Sequence, residues 1–402
     1  MSLKSEKWYW DAPFQFEGDA KLVEVTSWKG RPALVVDRSL FYPEGGGQKG
    51  DRGEIIVEGQ TQKVVDTQID EEGRIFIVLE QALPNLTPGL ILACRVDEDW
   101  RRRQMSQHTG QHMLSRLLHD TCNAPTVSAR LGETFFSLEV DSTALSEEQL
   151  RSAEDALNKL ILEDRPIRAW FPTQEELTTL DLRKQPSVTE GIRVIQVEGF
   201  DVTPCGGTHC ARTGQVGMVH IQSMERYKGM TRLFVSAGLD AAREFQRKEC
   251  SLQAIQMIVD GNEQMVVRQV EALQFRSRQE QEEKNRYMER AAELEISHLL
   301  EKTEPLTRVT LKNESPEYAR LISRGIAEKG TRISIVTCEV ESEILVILDR
   351  GGESRIDVGA VLKETLKMHP GKGGGSPSHA EGRVPQNISN AFLKELVMRL
   401  ET

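Results

Sequence analysis

Two stretches far apart in the chain, His108-Thr109-Gly110-Gln111-His112 and Cys205-Gly206-Gly207-Thr208-His209-Cys210, together offer three imidazoles and a thiolate in spacings that suit one zinc ion. A fold that uses them together must bring the two stretches face to face. The first lies between Trp100 and Leu118, in a run without proline where Met105, Met113, Leu117 and Leu118 recur at helical spacing. Residues four apart on a helix sit one turn above the other on one face, so His108 and His112 can close on a single metal. Cys205 and His209 come from a turn that the glycines make tight. Neutral imidazole and thiolate are ligands that zinc favours, and four of them would complete a tetrahedron.

A His-x-x-x-His pair alone occurs often by chance on helix surfaces, and it is the second stretch that gives this one weight. The chain has only eight His and six Cys. His119, His220, His298, His369 and His379 lack such a partner and read as ordinary surface or core residues. Thr109 stands where a metalloprotease helix carries its glutamate base, which argues against a peptidase.

At 402 residues with a hydrophobic fraction of 38% the chain can bury sizeable cores. No apolar run reaches the length of a membrane span, and Met1 to Trp10 has no signal-peptide core. The six cysteines are scattered, as suits a reducing compartment. The expected location is therefore the cytoplasm, with no membrane partner. Net charge is −11, so any polyanion has to be met by local cations.

Short β segments with glycine turns fill residues 20–96: 21–26, 31–36, 53–57, 63–67, 75–79 and 90–96. A small barrel or curved sheet is expected there. Residues 97–239 read as an α+β zinc-binding domain, with helices around the first motif and over 147–162, and strands near 134–140, 167–171, 192–197, 216–222 and 231–237. From 240 to 301 few breakers appear beyond Asp260-Gly261-Asn262, which predicts a long helical hairpin or partial coiled coil, serving as a spacer or as an oligomer seam. Beyond Pro305 the pattern is αββα-like: helix 316–329, strands 333–339 and 343–348, helices 357–368 and 387–400. The fold class expected is thus α+β, with a β-barrel-like region over 1–96, the zinc domain over 97–239, and long helices plus a C-terminal α/β domain over 240–402.

Two glycine-dense segments stand out. Phe41 to Asp51, containing Gly45-Gly46-Gly47-Gln48, is too rich in glycine for an ordinary hairpin and could turn its amides toward a ligand. Gly371 to Gly375 fails the P-loop pattern, yet its amides and Lys372 could hold a backbone phosphate. Arg101, Arg102 and Arg103 precede the zinc motif, and Arg130, Arg226, Lys228 and Arg232 lie in nearby segments. Three adjacent arginines are usually a solvated helix face; beside a metal site they become candidates for phosphate contact.

With these elements in one order, the chain resembles the alanyl-tRNA editing proteins of the AlaX group in its long form, relatives of the editing and C-terminal domains of alanyl-tRNA synthetase. The residues that carry the resemblance are Phe41 to Asp51, His108 to His112, Cys205 to His209 with Gly214 to Gly217, and Gly371 to Pro377. It covers essentially the whole chain. It implies zinc on His108, His112, Cys205 and His209, and hydrolysis of the aminoacyl ester of tRNA(Ala) wrongly charged with serine, sometimes glycine. Because the editing-type β region starts near residue 20, a freestanding enzyme acting in trans is expected. Residues 97–239 become the editing domain. Residues 240–402 become a tRNA-binding region that can mediate a homodimer. Gln111, where the synthetase often has Thr, departs from the pattern, so details of seryl discrimination are not carried over.

Within that frame the candidate reacting groups are Thr109 and Gln111, which could sense a seryl hydroxyl, and Gly46, Gly47 and Gln48, with Gly206 and Gly207, whose amides could meet an oxyanion or the terminal ribose. The candidate tRNA contacts are Arg101, Arg102, Arg103, Arg130, Lys228, Arg232, Lys372, Gly373 and Gly374. Four protein ligands resemble a closed structural site, whereas catalysis needs an open position. The competing expectation is accordingly a non-catalytic, zinc-stabilised tRNA-binding accessory protein.

Overall fold

Alternation of apolar and polar residues between glycine turns gives strands with one wet and one dry face, and six of them close on themselves. In the computed structural model, which describes residues 4–185, 189–301, 305–329, 332–352 and 354–401, a helical turn α1 (Trp8–Asp11) precedes β1 (Glu17–Trp28), β2 (Arg31–Val36), β3 (Gly53–Val57), β4 (Gln60–Ile69), β5 (Ile75–Leu79) and β6 (Ile91–Val96). These form a closed barrel in the order β1-β2-β5-β4-β3-β6. Leu22, Leu34, Ile55, Val64, Ile77 and Leu92 fill its interior. Closure pairs every strand on both sides and leaves no edge.

Asp97 then caps α2 (Glu98–Cys122), its carboxylate accepting from Trp100 N at 3.0 Å, and Asn123 ends the helix in the left-handed conformation at φ 49°. The chain continues through β7 (Thr126–Leu131), β8 (Phe136–Val140), α3 (Glu147–Leu162), β9 (Ile167–Trp170), α4 (Gln174–Thr179), β10 (Val194–Val197), β11 (Asp201–Pro204), β12 (Val219–Tyr227), β13 (Met230–Ala237) and α5 (Leu239–Val259). The sheet β12-β13-β8-β7 packs against α2 and α3 around Met113, Leu114, Leu138, Leu157 and Leu233. A separate three-stranded sheet, β11-β10-β9, ends β11 at Pro204 and so delivers Cys205 at a strand terminus.

The second part of the chain holds α6 (Glu263–Leu299), β14 (Leu306–Leu311), α7 (Pro316–Glu328), β15 (Ile333–Val340), β16 (Glu343–Arg350), α8 (Val358–Met368), β17 (Lys372–Gly375), β18 (His379–Pro385) and α9 (Ser389–Glu401). Its five-stranded sheet runs β14-β15-β16-β18-β17. Ala292, Ile296, Tyr318, Ile322 and Val336 form one core and Val346, Leu362, Val384, Phe392 and Leu396 another, so α6 and α7 cover one face and α8 and α9 the other.

The expected α+β class holds, with the barrel fully closed. The chain divides into two compact units, residues 1–254 and 255–402. The boundary expected at 96 falls inside the first unit, where α2 is bonded to the barrel's glycine loop; that expected at 239 falls at the start of α5. β7, β11, β14 and β18 were not expected. The glycine run near 371–377, expected as a loop, instead supplies β17, an exposed edge strand whose glycines cannot show period-two alternation. No helix among the described residues is long and apolar enough to cross a membrane.

Candidate metal centre

α2 and the turn after β11 meet. The ligand atoms of His108, His112, Cys205 and His209 all lie within 4.8 Å of one another. The three imidazoles are buried and Cys205 is half-buried. His108 Nε2 lies 3.4 Å and His209 Nε2 3.3 Å from Cys205 Sγ. His112 Nδ1 is buried with no hydrogen-bond partner among the described residues.

The other nitrogens of two rings are held from behind. The Thr208 backbone N–H, which can only donate, meets Gln48 Oε1 at 3.0 Å, and the same oxygen lies 2.8 Å from His108 Nδ1. The proton of His108 is thereby placed on Nδ1, and the lone pair of Nε2 faces the thiol. Gln48 Nε2 donates to Thr208 Oγ1 at 2.8 Å, so this amide spans both stretches. Thr109 Oγ1 lies 3.3 Å from His209 Nδ1 and accepts from Cys210 N at 3.1 Å.

Burial, followed by the charge of Arg193, pushes His108 down to about 3, and burial also holds His112 and His209 well below the usual histidine range. All three are therefore neutral, the form that binds metal. Burial raises the Cys205 thiol, opposed by the Gly207 N–H and the Arg193 guanidinium. Three neutral imidazoles, two of them oriented from behind and the third with an unpartnered nitrogen, together with a thiol fit a soft-to-borderline dication such as zinc.

The turn itself is clamped. Arg193 on the approach to β10 donates to Cys205 O at 3.1 Å and to Gly207 O at 2.8 Å, and Trp10 Nε1 donates to Gly206 O at 2.7 Å. With its carbonyls turned outward, the loop points the Gly207 N–H at Cys205 Sγ, 3.5 Å away. A Cβ on Gly207 would sit 2.1 Å from His108 Cε1, so only glycine lets the turn approach the ring. Gly47, at φ 87°, fits against β7 in the same way: a Cβ there would meet Ala129 O at 2.4 Å.

Residues 192–234, which contain Arg193 and the Cys205 turn, match the model of the threonyl and alanyl tRNA synthetase second additional domain, and residues 8–100 match that of class II (A) tRNA synthetases. The chain is 29% identical to the alanyl-tRNA editing protein AlaX-L of Pyrococcus horikoshii, over 98% of this chain and 99% of that one. The resemblance to the alanyl-tRNA editing family extends along the whole chain. Alanine–tRNA ligases of Archaeoglobus fulgidus and Korarchaeum cryptofilum are each 28% identical over 98% of this chain, but it spans only 44% and 45% of their length.

The other candidate residues lie in different surroundings. Arg101, expected at a phosphate, is fully buried and paired with the equally buried Asp51, and it also donates to Leu40 O and to Pro13 O. It bolts α2 to the glycine loop. Arg103 is taken by Asp240 at 2.8 Å, and Arg232 by Glu139, by Glu225 and by the ring of Tyr227. Arg102 makes an exposed pair with Glu98, Arg130 and Lys228 are exposed, and Lys372, Gly373 and Gly374 lie on the exposed β17 of the second unit. Gln48 and Thr109 are engaged with the imidazoles of His108 and His209, and Gln111 donates to Ser115 Oγ at 2.7 Å. Gly46 and Gly47 are exposed. Sequence reasoning missed Arg193, Trp10 and Thr208. Only Thr208, inside the Cys205–His209 stretch, carried a local signal.

Proposed function

We propose that this protein is a zinc-dependent hydrolase that removes serine, or glycine, from mischarged tRNA(Ala), acting in trans in the cytoplasm. The observation that carries the reading is the convergence of His108, His112, Cys205 and His209, in a chain similar from end to end to a protein named for alanyl-tRNA editing. Zinc held by these four would polarise a carbonyl or water and anchor the amino acid's amine or hydroxyl.

The chain's own residues supply the rest. Gln48 and Thr109 fix His108 and His209, while Arg193 and Trp10 fix the Cys205 turn, so the centre is organised before substrate arrives. The exposed amides of Gly46 and Gly47 are offered to the terminal ribose. Arg102, Arg130, Lys228 and Lys372 are offered to phosphates, and a homodimer through the C-terminal region belongs to the same proposal.

A purely structural zinc in a tRNA-binding accessory protein is favoured by the count of four ligands. The catalytic alternative is supported by the exposed Gly206 next to Cys205, which brings the turn that carries one ligand to the surface. The deciding experiment is deacylation of tRNA(Ala) charged separately with serine, glycine and alanine, with and without chelator. Release of serine, lost with chelator and in Cys205→Ala, is expected; tRNA binding without turnover would leave the accessory reading standing.

A further inference from the structure

Cys205 is the least covered residue of the four although its thiol is buried, and it adjoins Gly206, so the Cys205-Gly206 turn is the side of the cluster nearest to solvent and the one from which a substrate would approach. Gly206 is exposed there, with Trp10 alongside: the indole N–H donates to Gly206 O, and a Cβ on Gly206 would lie 3.8 Å from Trp10 Cζ2. Phe171, directly after β9, meets Trp10 edge-on at 5.4 Å between ring centroids and is 48% exposed. The Lys7 ammonium sits 4.2 Å over the Trp10 ring, the Arg193 guanidinium lies 5.8 Å from it, and Tyr9 packs on its edge at 5.7 Å. Trp10 is thus braced from several sides. Phe171, which belongs to no apolar cluster among the described residues, is left presenting an aromatic surface at the mouth of a polar centre.

A single exposed phenylalanine is ordinary on a protein surface. Its position gives this one meaning. In a charged RNA, the ester and the terminal base hang from opposite ends of one ribose, so an ester that passes Cys205 to reach the cluster leaves its base at the lip. Aromatic rings bind nucleobases by stacking, and a nearby ammonium suits the phosphate that follows.

Resting on the editing reading, we propose that Phe171, braced by Trp10 and flanked by Lys7, is the seat of the terminal adenosine of the aminoacyl-tRNA. The base stacks on Phe171, and Lys7 meets the phosphate on its 5′ side.

The test uses the full-length zinc-loaded protein and 3′-deoxy-3′-(seryl)aminoadenosine, a stable amide analogue of the charged end, with titration calorimetry for Kd. Phe171→Ala should weaken binding about tenfold, raise KM for seryl-tRNA similarly with kcat nearly unchanged, and keep wild-type zinc content and circular dichroism; Phe171→Trp should restore affinity. The same analogue without its base should bind wild type and Phe171→Ala alike, since the lost interaction is between ring and base. Equal Kd of the adenosine analogue for wild type and Phe171→Ala overturns the seat while leaving the hydrolase intact, and so does loss of zinc from that variant. If wild type releases no amino acid from any charged tRNA, the functional reading falls and the seat falls with it.

Discussion

Gln48 holds His108 in place: its Oε1 lies 2.8 Å from His108 Nδ1, and the Thr208 N–H on the same oxygen leaves Nδ1 no role but donor. Removing such a partner of a ligating histidine typically costs ten- to a hundredfold in metal affinity. Gln48→Ala should therefore bind zinc about 10- to 100-fold more weakly in a chelator competition. Gln48→Glu, which keeps an acceptor for both N–H groups, should fall between it and wild type. Wild-type affinity in Gln48→Ala would remove the amide from the account of the site.

Neighbouring glycines in the metal turn should respond oppositely to one added methyl. At Gly207 the methyl carbon would stand 2.1 Å from His108 Cε1, whereas at Gly206 its nearest contact is Trp10 at 3.8 Å. Gly207→Ala is expected to lose bound zinc by elemental analysis. Gly206→Ala should keep it, and loss in both would mean that backbone freedom, not the approach to His108, is the requirement.

Why some of this could be read from the sequence and some could not follows from range. His108 and His112 share a helix face and Cys205 and His209 a turn, so each pair is local and its spacing is visible in the chain. The barrel strands show alternation because one face is dry. Arg193, Trp10 and Gln48 act on residues up to 196 positions away, through contacts that no spacing records. Arg101 misled for the opposite reason: beside Arg102 and Arg103 it reads as surface charge, yet its partner Asp51 sits 50 positions back in the glycine loop. β17 escaped because a strand of glycines has no side-chain pattern.

Arg101 yields a prediction that separates bolt from phosphate contact. Breaking a buried ion pair from one side strands the other charge and costs about 3–5 kcal/mol. Arg101→Met should thus destabilise the protein by that order in denaturant unfolding, through the stranded Asp51. Arg130→Ala, at an exposed side chain, should leave stability nearly unchanged and lower the salt dependence of tRNA binding by about one ion. A stable Arg101→Met with weakened tRNA affinity would reverse the assignment.

Metal removal discriminates between a zinc that acts and a zinc that merely holds the fold. The two largest apolar cores of the first unit are built without the four ligands: one fills the barrel, the other lies between α2, α3 and the four-stranded sheet. The scaffold should therefore persist when zinc is withdrawn, with far-ultraviolet circular dichroism retained. Stability should fall only by the linkage term, about 4 kcal/mol at a thousandfold excess of metal over its Kd. Hydrolysis of seryl-tRNA should vanish over the same chelator range and return on adding zinc back. Collapse of the secondary structure at the concentration that strips the metal would instead make zinc part of the fold, as in domains that are unfolded without it.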